Sequence, residues 1–332
     1  SYQKKLIEQV IDARLTGKSI LTDKSFAKIR EARRMVTPAT IYADIQAVDM
    51  GKGSDALRYQ SNLGRWTEFN MSFNGDAIYL SGINYDADSC NTFINTLRTM
   101  KPLEGFPGDI LPLSTFFFTV SSISNLDSVL NFTSAHAYAR ATYSDEIMEG
   151  DEVVGGFLKA YVGDAATTCM FHVGDSLPLT PYVVWNVPLR NTVGVKQALT
   201  NLCHSAPKRE GIGLAYTLPR HTLFAQLTGF TDSSLLTYAL VYKKRLLISP
   251  EVAALQAYIE AIEGEDSVLE RSADYEDMAA SLSQSYNFMM MGDMGVILDQ
   301  PEAYVRFIPQ LFFRYGKFFR HFVLTSQFTC VD

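Results

Sequence analysis

The residues of this chain that could do chemistry are few, and their spacing works against it. Residues 12–19 read Asp-Ala-Arg-Leu-Thr-Gly-Lys-Ser. A Gly-Lys-Ser ending suits a phosphate-binding loop, whose backbone N–H groups cradle the anion. Such a loop needs glycine where Asp12 stands and a strand before it, whereas the apolar spacing here predicts a helix. Gly211-Ile212-Gly213 lacks the third glycine of a dinucleotide fingerprint and reads as a turn before a strand. No Gly-x-Ser-x-Gly elbow offers an acyl-transfer serine.

The five histidines are His136, His172, His204, His221 and His321. No two share a helical turn with a glutamate, as a zinc protease site requires. Cys90, Cys169, Cys203 and Cys330 are scattered. Without a Cys-x-x-Cys pair they read as buried thiols of a reducing cytoplasm. Cys203 and His204 are adjacent, so on a helix or strand they point apart. His172 and Asp175 flank Gly174 near a strand end, where stabilising the turn is the competing role. The acids between Asp145 and Glu152 lack the alternating ligands of a calcium loop. The reading is a non-enzyme with no catalytic residue, cofactor or metal. The enzyme alternative is a hydrolase or transferase whose site is composed from distant segments, Cys203 and His172 among them.

The elements that would position any site are read from periodicity. Leu6, Ile7, Val10, Ile11 and Leu15 share one side of a helix over residues 2–15 that Gly17 ends. A second short helix follows Asp23, with Phe26, Ile29 and Met35 near one side. Residues 50–88 read as loop-rich, with a strand at Ala77–Leu80. Ser89 caps a helix that Pro102 stops, and residues 102–112 form a stiff connector. Residues 126–143 read as helix, Val153–Val162 and Thr167–Val173 as β-like, and Tyr182–Val187 as the clearest strand. From residue 192 helices dominate: one carries Val195, Leu199 and Leu202, a second runs Leu235–Ile248, and a third starts at Ser249-Pro250-Glu251. Ser267 with Glu270 fits a capping box. In Gln310–Phe322 the aromatics fall on one side and the cations on the other. The fold class expected is mainly α with a minority of β. A basic two-helix arm over 1–36 precedes a body over 37–332, with a loop- and strand-rich protruding part around 102–190.

Charge narrows the partners. The net charge is −7 over 332 residues, which argues against a coating of nucleic acid by a strongly basic chain. Residues 1–34 nevertheless hold nine cations: Lys4, Lys5, Arg14, Lys18, Lys24, Lys28, Arg30, Arg33 and Arg34. They suit weak, salt-sensitive contacts with the phosphates of a polyanion. The run Leu235–Ile248 is interrupted by Lys243, Lys244 and Arg245 and is too short for the ~20 apolar residues of a membrane span. The chain therefore reads as soluble, with no membrane partner. Its 21 Phe and 17 Tyr suit subunit contact as well as burial. The expected interface residues are Phe116, Phe117, Trp185, Phe312 and Phe319, with Met289-Met290-Met291 as either a pliable contact or core.

The Trp-bearing strand Leu179–Pro188, the basic arm, the size and the helical pattern resemble the small capsid proteins of partitivirus-type double-stranded RNA viruses. That resemblance implies a helix-rich shell domain with a protruding part, paired into dimers that close an icosahedral shell around the genome and its polymerase. The function expected is a coat subunit, located in the virion and in host cytoplasm during assembly, whose partners are copies of itself and, through weak phosphate contacts of the basic arm, genomic RNA. A tailed-phage virion component is the structural alternative.

Overall fold

Strand-forming runs set the architecture. The computed structural model describes residues 4–31, 39–44, 64–74, 77–85, 92–138, 145–173, 181–203, 207–211, 213–218, 237–264, 268–299 and 310–330. The chain divides into two compact units, Ser1–Asn95 and Thr96–Asp332.

The first unit opens with helix α1 (Lys4–Leu15), which ends at Gly17 in the left-handed region. Helix α2 (Lys24–Glu31) follows, capped by Asp23, whose Oδ1 accepts from the backbone N–H groups of Ser25 (2.9 Å) and Phe26 (3.1 Å). Three antiparallel strands complete the unit in the order β1 (Ala39–Asp44), β2 (Trp66–Asn74), β3 (Ala77–Tyr85). Phe26 and Ile29 of α2 pack with Trp66 as a small core. Both basic helices, expected as an arm over 1–36, fall within the unit that runs to Asn95, and α2 packs on its sheet.

The second unit begins with α3 (Phe93–Arg98, shared with the boundary), β4 (Leu103–Glu104) and β5 (Thr115–Ser122). Helices α4 (Leu126–Tyr138) and α5 (Asp145–Tyr161) lead to β6 (Ala165–Phe171) and β7 (Tyr182–Pro188). Then come α6 (Val195–Leu202), β8 (Lys208–Glu210), β9 (Gly213–Leu218), β10 (Thr237–Tyr242) and β11 (Arg245–Ser249). The chain continues through α7 (Val252–Glu263), α8 (Ala273–Ala280), β12 (Ser285–Tyr286) and β13 (Phe288–Asp293). It closes with α9 (Met294–Asp299), the short α10 (Gln310–Arg314) and α11 (Gly316–Phe319), and β14 (Val323–Phe328). Nine of these strands form one sheet, ordered β14-β13-β5-β6-β7-β11-β10-β9-β8, with every neighbouring pair antiparallel.

Helices cover both faces of that sheet. On one side α4, α5, α6 and α9 bury Leu130, Leu158, Leu199 and Ile297 against Phe117, Trp185 and Ile248. On the other, α7 and α8 bury Leu255, Tyr258 and Tyr275 against Phe118, Val184 and Leu247. Each fully buried large apolar side chain contributes about 1.5–3 kcal/mol, so the two cores together hold this unit.

A mainly α chain with a helix-rich shell domain is thus overturned: the protein is α+β, built on a large antiparallel sheet. The reason lies in double-sided burial, which removes the polar/apolar alternation that marks a half-exposed strand. Leu235–Ile248 looked like one helix, but β10 and β11 are a hairpin whose turn holds Lys243 at φ 50°. The Met289–Met291 run is strand β13, with Met289 and Met291 in one core and Met290 against the other. The opposite error occurs at Val153–Val162, where Gly155-Gly156 imitates a strand but Val154 and Leu158 are buried one turn apart on α5. Residues 102–190 supply the interior strands β5, β6 and β7 of the large sheet. Ser249 does not head its helix as expected: its Oγ accepts from the Glu251 N–H at 3.1 Å, and α7 starts at Val252. Met35, Ser89 and Ser267 lie outside the described residues.

One buried polar chain ties the layers together. Asn186 of β7 donates from Nδ2 to the Tyr258 hydroxyl at 2.5 Å and accepts at Oδ1 from Arg245 at 2.9 Å. The Tyr258 hydroxyl in turn donates to the carbonyl of Ile110. Burial pushes the Tyr258 phenol well above its ordinary range, so it stays a neutral donor. Tyr258→Phe should leave the Asn186 amide and the Ile110 carbonyl unpaired and cost about 1–3 kcal/mol. Urea unfolding should show a lower midpoint at unchanged slope; an unmoved midpoint would deny the network any part in stability.

Candidate interaction surface

In β2 successive side chains alternate between the two sheet faces. Trp66, Glu68, Asn70 and Ser72 lie on one face; Thr67, Phe69, Met71 and Phe73 lie on the other. Register extends each face across the sheet. Glu68 sits between Tyr42 and Ile83, while Met71 sits between Ala39 and Leu80.

Helix α2 closes the first face. The Phe26 ring meets Trp66 edge-on at 5.0 Å and Tyr42 at 5.2 Å. Burial on this side takes in polar groups. Glu68 is only 1% exposed; its Oε1 accepts from Asn70 Nδ2 at 3.2 Å, and its buried Oε2 has no hydrogen-bond partner. Asn70 Oδ1 accepts from the Thr40 hydroxyl at 3.1 Å. Arg65 locks the corner, reaching Asp23 and Asp44, each at 3.1 Å.

The second face is largely apolar and partly open. Phe73 is 68% exposed, Ile41, Ile78 and Leu80 on the same face are exposed, and Phe69 and Met71 are half-buried. The sheet thus has apolar residues on both faces, and α2 covers only the one that bears Trp66. Helix α1 repeats the theme: Leu6, Ile7, Val10, Ile11 and Leu15 form its apolar side, all are exposed, and no residue of α1 is buried. This surface was missed in the sequence because the glycines of residues 50–88 suggested loop. The signal was present in the strict alternation of Phe69, Met71 and Phe73 with Glu68, Asn70 and Ser72.

The expected interface residues fare differently. Phe116, Phe117 and Trp185 are buried in the chain's own core and have no surface to offer a partner. Phe312 and Phe319 are half-buried, in edge-on contact at 4.8 Å, and pack against that core. Among the expected phosphate contacts, Lys4, Lys5, Arg14, Lys18, Lys24, Lys28 and Arg30 are exposed. Lys4 pairs with Glu8 at 3.6 Å, and Lys28 donates to the Tyr85 hydroxyl at 2.6 Å. Arg33 and Arg34 lie outside the described residues.

Of the residues considered for catalysis, Cys203 and His172 are described. Burial pushes the Cys203 thiol up to about 11, so it is not a ready thiolate. His172 packs edge-on to Phe116 at 5.5 Å; burial lowers its pKa, and its buried Nδ1 has no partner. Asp175, His204 and His221, and the side chains of His136 and of the acids Asp145–Asp151, lie outside the described residues. Gly17-Lys18-Ser19 follows a helix, and Ser19 Oγ accepts from the Leu21 N–H at 3.2 Å, so this segment is a turn and not a phosphate loop. Among the described residues there is no group of three or more His, Cys, Asp or Glu that could hold a metal, and no helix long and apolar enough to cross a membrane. Comparison with protein-family models, with curated proteins and with solved structures found no match to this chain.

Two expectations follow for the first unit. The Asp23 carboxyl is held below its usual range, chiefly by the Phe26 N–H, with the Ser25 N–H and Arg65 adding to it. A depressed folded-state pKa stabilises the unit above the ordinary carboxylate value of about 3.9, and that contribution disappears as pH falls through the folded value. Thermal melts should therefore show an acid limb below about pH 4 that Asp23→Asn flattens; an identical limb in the variant would place its origin elsewhere. At Gly82 an added Cβ would fall 1.6 Å from the Glu68 carbonyl oxygen, so β3 can approach β2 there only because no side chain intervenes. Gly82→Ala should cost about 1–3 kcal/mol or more by forcing the strands apart, read as early loss of the first unit in limited proteolysis; wild-type resistance would refute the close approach.

Proposed function

We propose that this protein is a structural subunit that assembles with copies of itself into a coat or shell, acting in the virion and assembling in host cytoplasm. The observation that carries this reading is the three-stranded sheet. One side, with Trp66, is closed by α2, and the other, with Phe73, Ile78 and Leu80, is left open. Exposed apolar patches of more than a few hundred Å² are uncommon on free monomers and mark surfaces that meet another molecule. The apolar side of α1 adds to the same unit's unpartnered area. A coat subunit needs such surfaces and needs no reactive groups. The exposed cations of α1 and α2 suit a secondary role in weak phosphate contact with an enclosed genome.

This reading does not draw on the partitivirus-type likeness, whose helix-rich shell the nine-stranded sheet fails to reproduce. Light scattering after size exclusion, with negative-stain microscopy, tests it. Wild type should form defined multi-subunit particles. Phe73→Asp with Leu80→Asp should shift the population toward single chains by at least about tenfold, the equivalent of 1.4 kcal/mol, with an unchanged circular dichroism spectrum. A wild-type chain that stays single across salt, pH and concentration would remove the proposal.

A further inference from the structure

We infer that the outer edge of β3 is the seat of self-association, pairing antiparallel with β3 of a second copy across a twofold axis at Ser81. The inference rests on the assembly reading above and names the contact.

Strand β3 ends its sheet, so its second row of backbone N–H and C=O groups faces away from β2. Every hydrogen bond of residues 77–85 runs inward, to β2, to Gly64 through the Asn84 side chain, or to Lys28 through the Tyr85 hydroxyl. At the opposite edge, Ala39, Thr40, Tyr42 and Asp44 of β1 hold further partners. Exposed edges are commonly guarded by charge, proline or brevity. The β8 edge of the large sheet has all but the proline: it is three residues long and reads Lys-Arg-Glu. Strand β14, at the other edge of that sheet, is uncharged but six residues long, and Gln327 beside its end is spent on the backbone of Ser283. Strand β3 is nine residues long, reads Ala-Ile-Tyr-Leu-Ser-Gly-Ile-Asn-Tyr, and has no charge and no proline.

The twofold at Ser81 follows from length and side-chain parity. Ser81 is the midpoint of the strand, so only an axis there pairs all nine residues: Leu80 with Gly82, Tyr79 with Ile83, Ile78 with Asn84. An axis through a residue keeps like faces together, joining the two open apolar faces into one. No like charges oppose, because the strand has none. Such a ladder holds about eight to ten backbone hydrogen bonds, comparable to the roughly ten direct bonds of a standard interface.

Disulfide trapping tests this on the full chain. Opposed residues of antiparallel strands have Cα atoms about 4.5–5.5 Å apart, inside the range a disulfide spans. Ser81→Cys should oxidise to a two-chain species at least about fivefold more than wild type, whose Cys169 and Cys203 are buried. Ser72→Cys is the control: it is exposed on the same face but one strand further from the axis and opposite Tyr79, so the two copies would sit about 20 Å apart, too far to bridge. Ser81→Lys, which sets two lysines against each other on the axis, should weaken association about tenfold without altering the circular dichroism spectrum. If wild type assembles but Ser81→Cys cross-links no better than Ser72→Cys, the edge pairing is wrong and the assembly reading stands. If wild type is a single chain at every concentration, both fall.

Discussion

The constraint behind this surface is the two-residue period of β2. Once Phe26 of α2 seats against Trp66, the side chains at 68, 70 and 72 must follow Trp66 inward, and those at 69, 71 and 73 must turn out. A slip of one residue would exchange the faces, burying Phe69, Met71 and Phe73 and turning Trp66 out of its contact with Phe26 and Ile29. The Asp23 cap and the Arg65 pairings with Asp23 and Asp44 hold the register that leaves them open. Glu68 shows the cost, since its second carboxylate oxygen is buried without a partner.

The large sheet of the second unit follows the opposite rule. Both of its faces are covered, and its two buried asparagines are paired: Asn186 with Tyr258 and Arg245, and Asn287 with the carbonyl of Met100 (3.0 Å) and the N–H of Cys330 (2.9 Å). The open apolar area described for the first unit is therefore not a general looseness of the molecule. It lies on a three-stranded sheet whose other face is already covered by the unit's own helix.

How much was legible in the sequence depended on whether an element is buried on one side or two. Helices with one buried side were read well: Val195, Leu199 and Leu202 are all buried on α6, and Phe26 and Ile29 on α2. Strands buried on both sides were not, because β10, β11 and β13 show no alternation to distinguish them from a buried helix. Tyr182–Val187 was recognised despite double burial because β-branched and aromatic residues fill it. The aromatic residues chosen as interface failed for a related reason. Composition says that a ring is apolar, not whether the protein's own core or a neighbour covers it, and Trp185 is claimed by the core.

Net charge sharpens which part of the surface can bring two copies together. A chain of charge −7 repels its like at long range, so contact has to begin where neither copy presents charge. Along β1–β3 the residues assigned by register to the open face include no Asp, Glu, Lys or Arg, and the β3 edge is equally neutral. The charges of the sheet itself and its corner, at Asp44, Arg65 and Glu68, fall on the covered side, and those of α1 and α2 lie on the helices. The alternation that puts the carboxylate of Glu68 under a helix is therefore the same one that leaves a neutral, apolar surface outside, where a second copy of an acidic protein could approach.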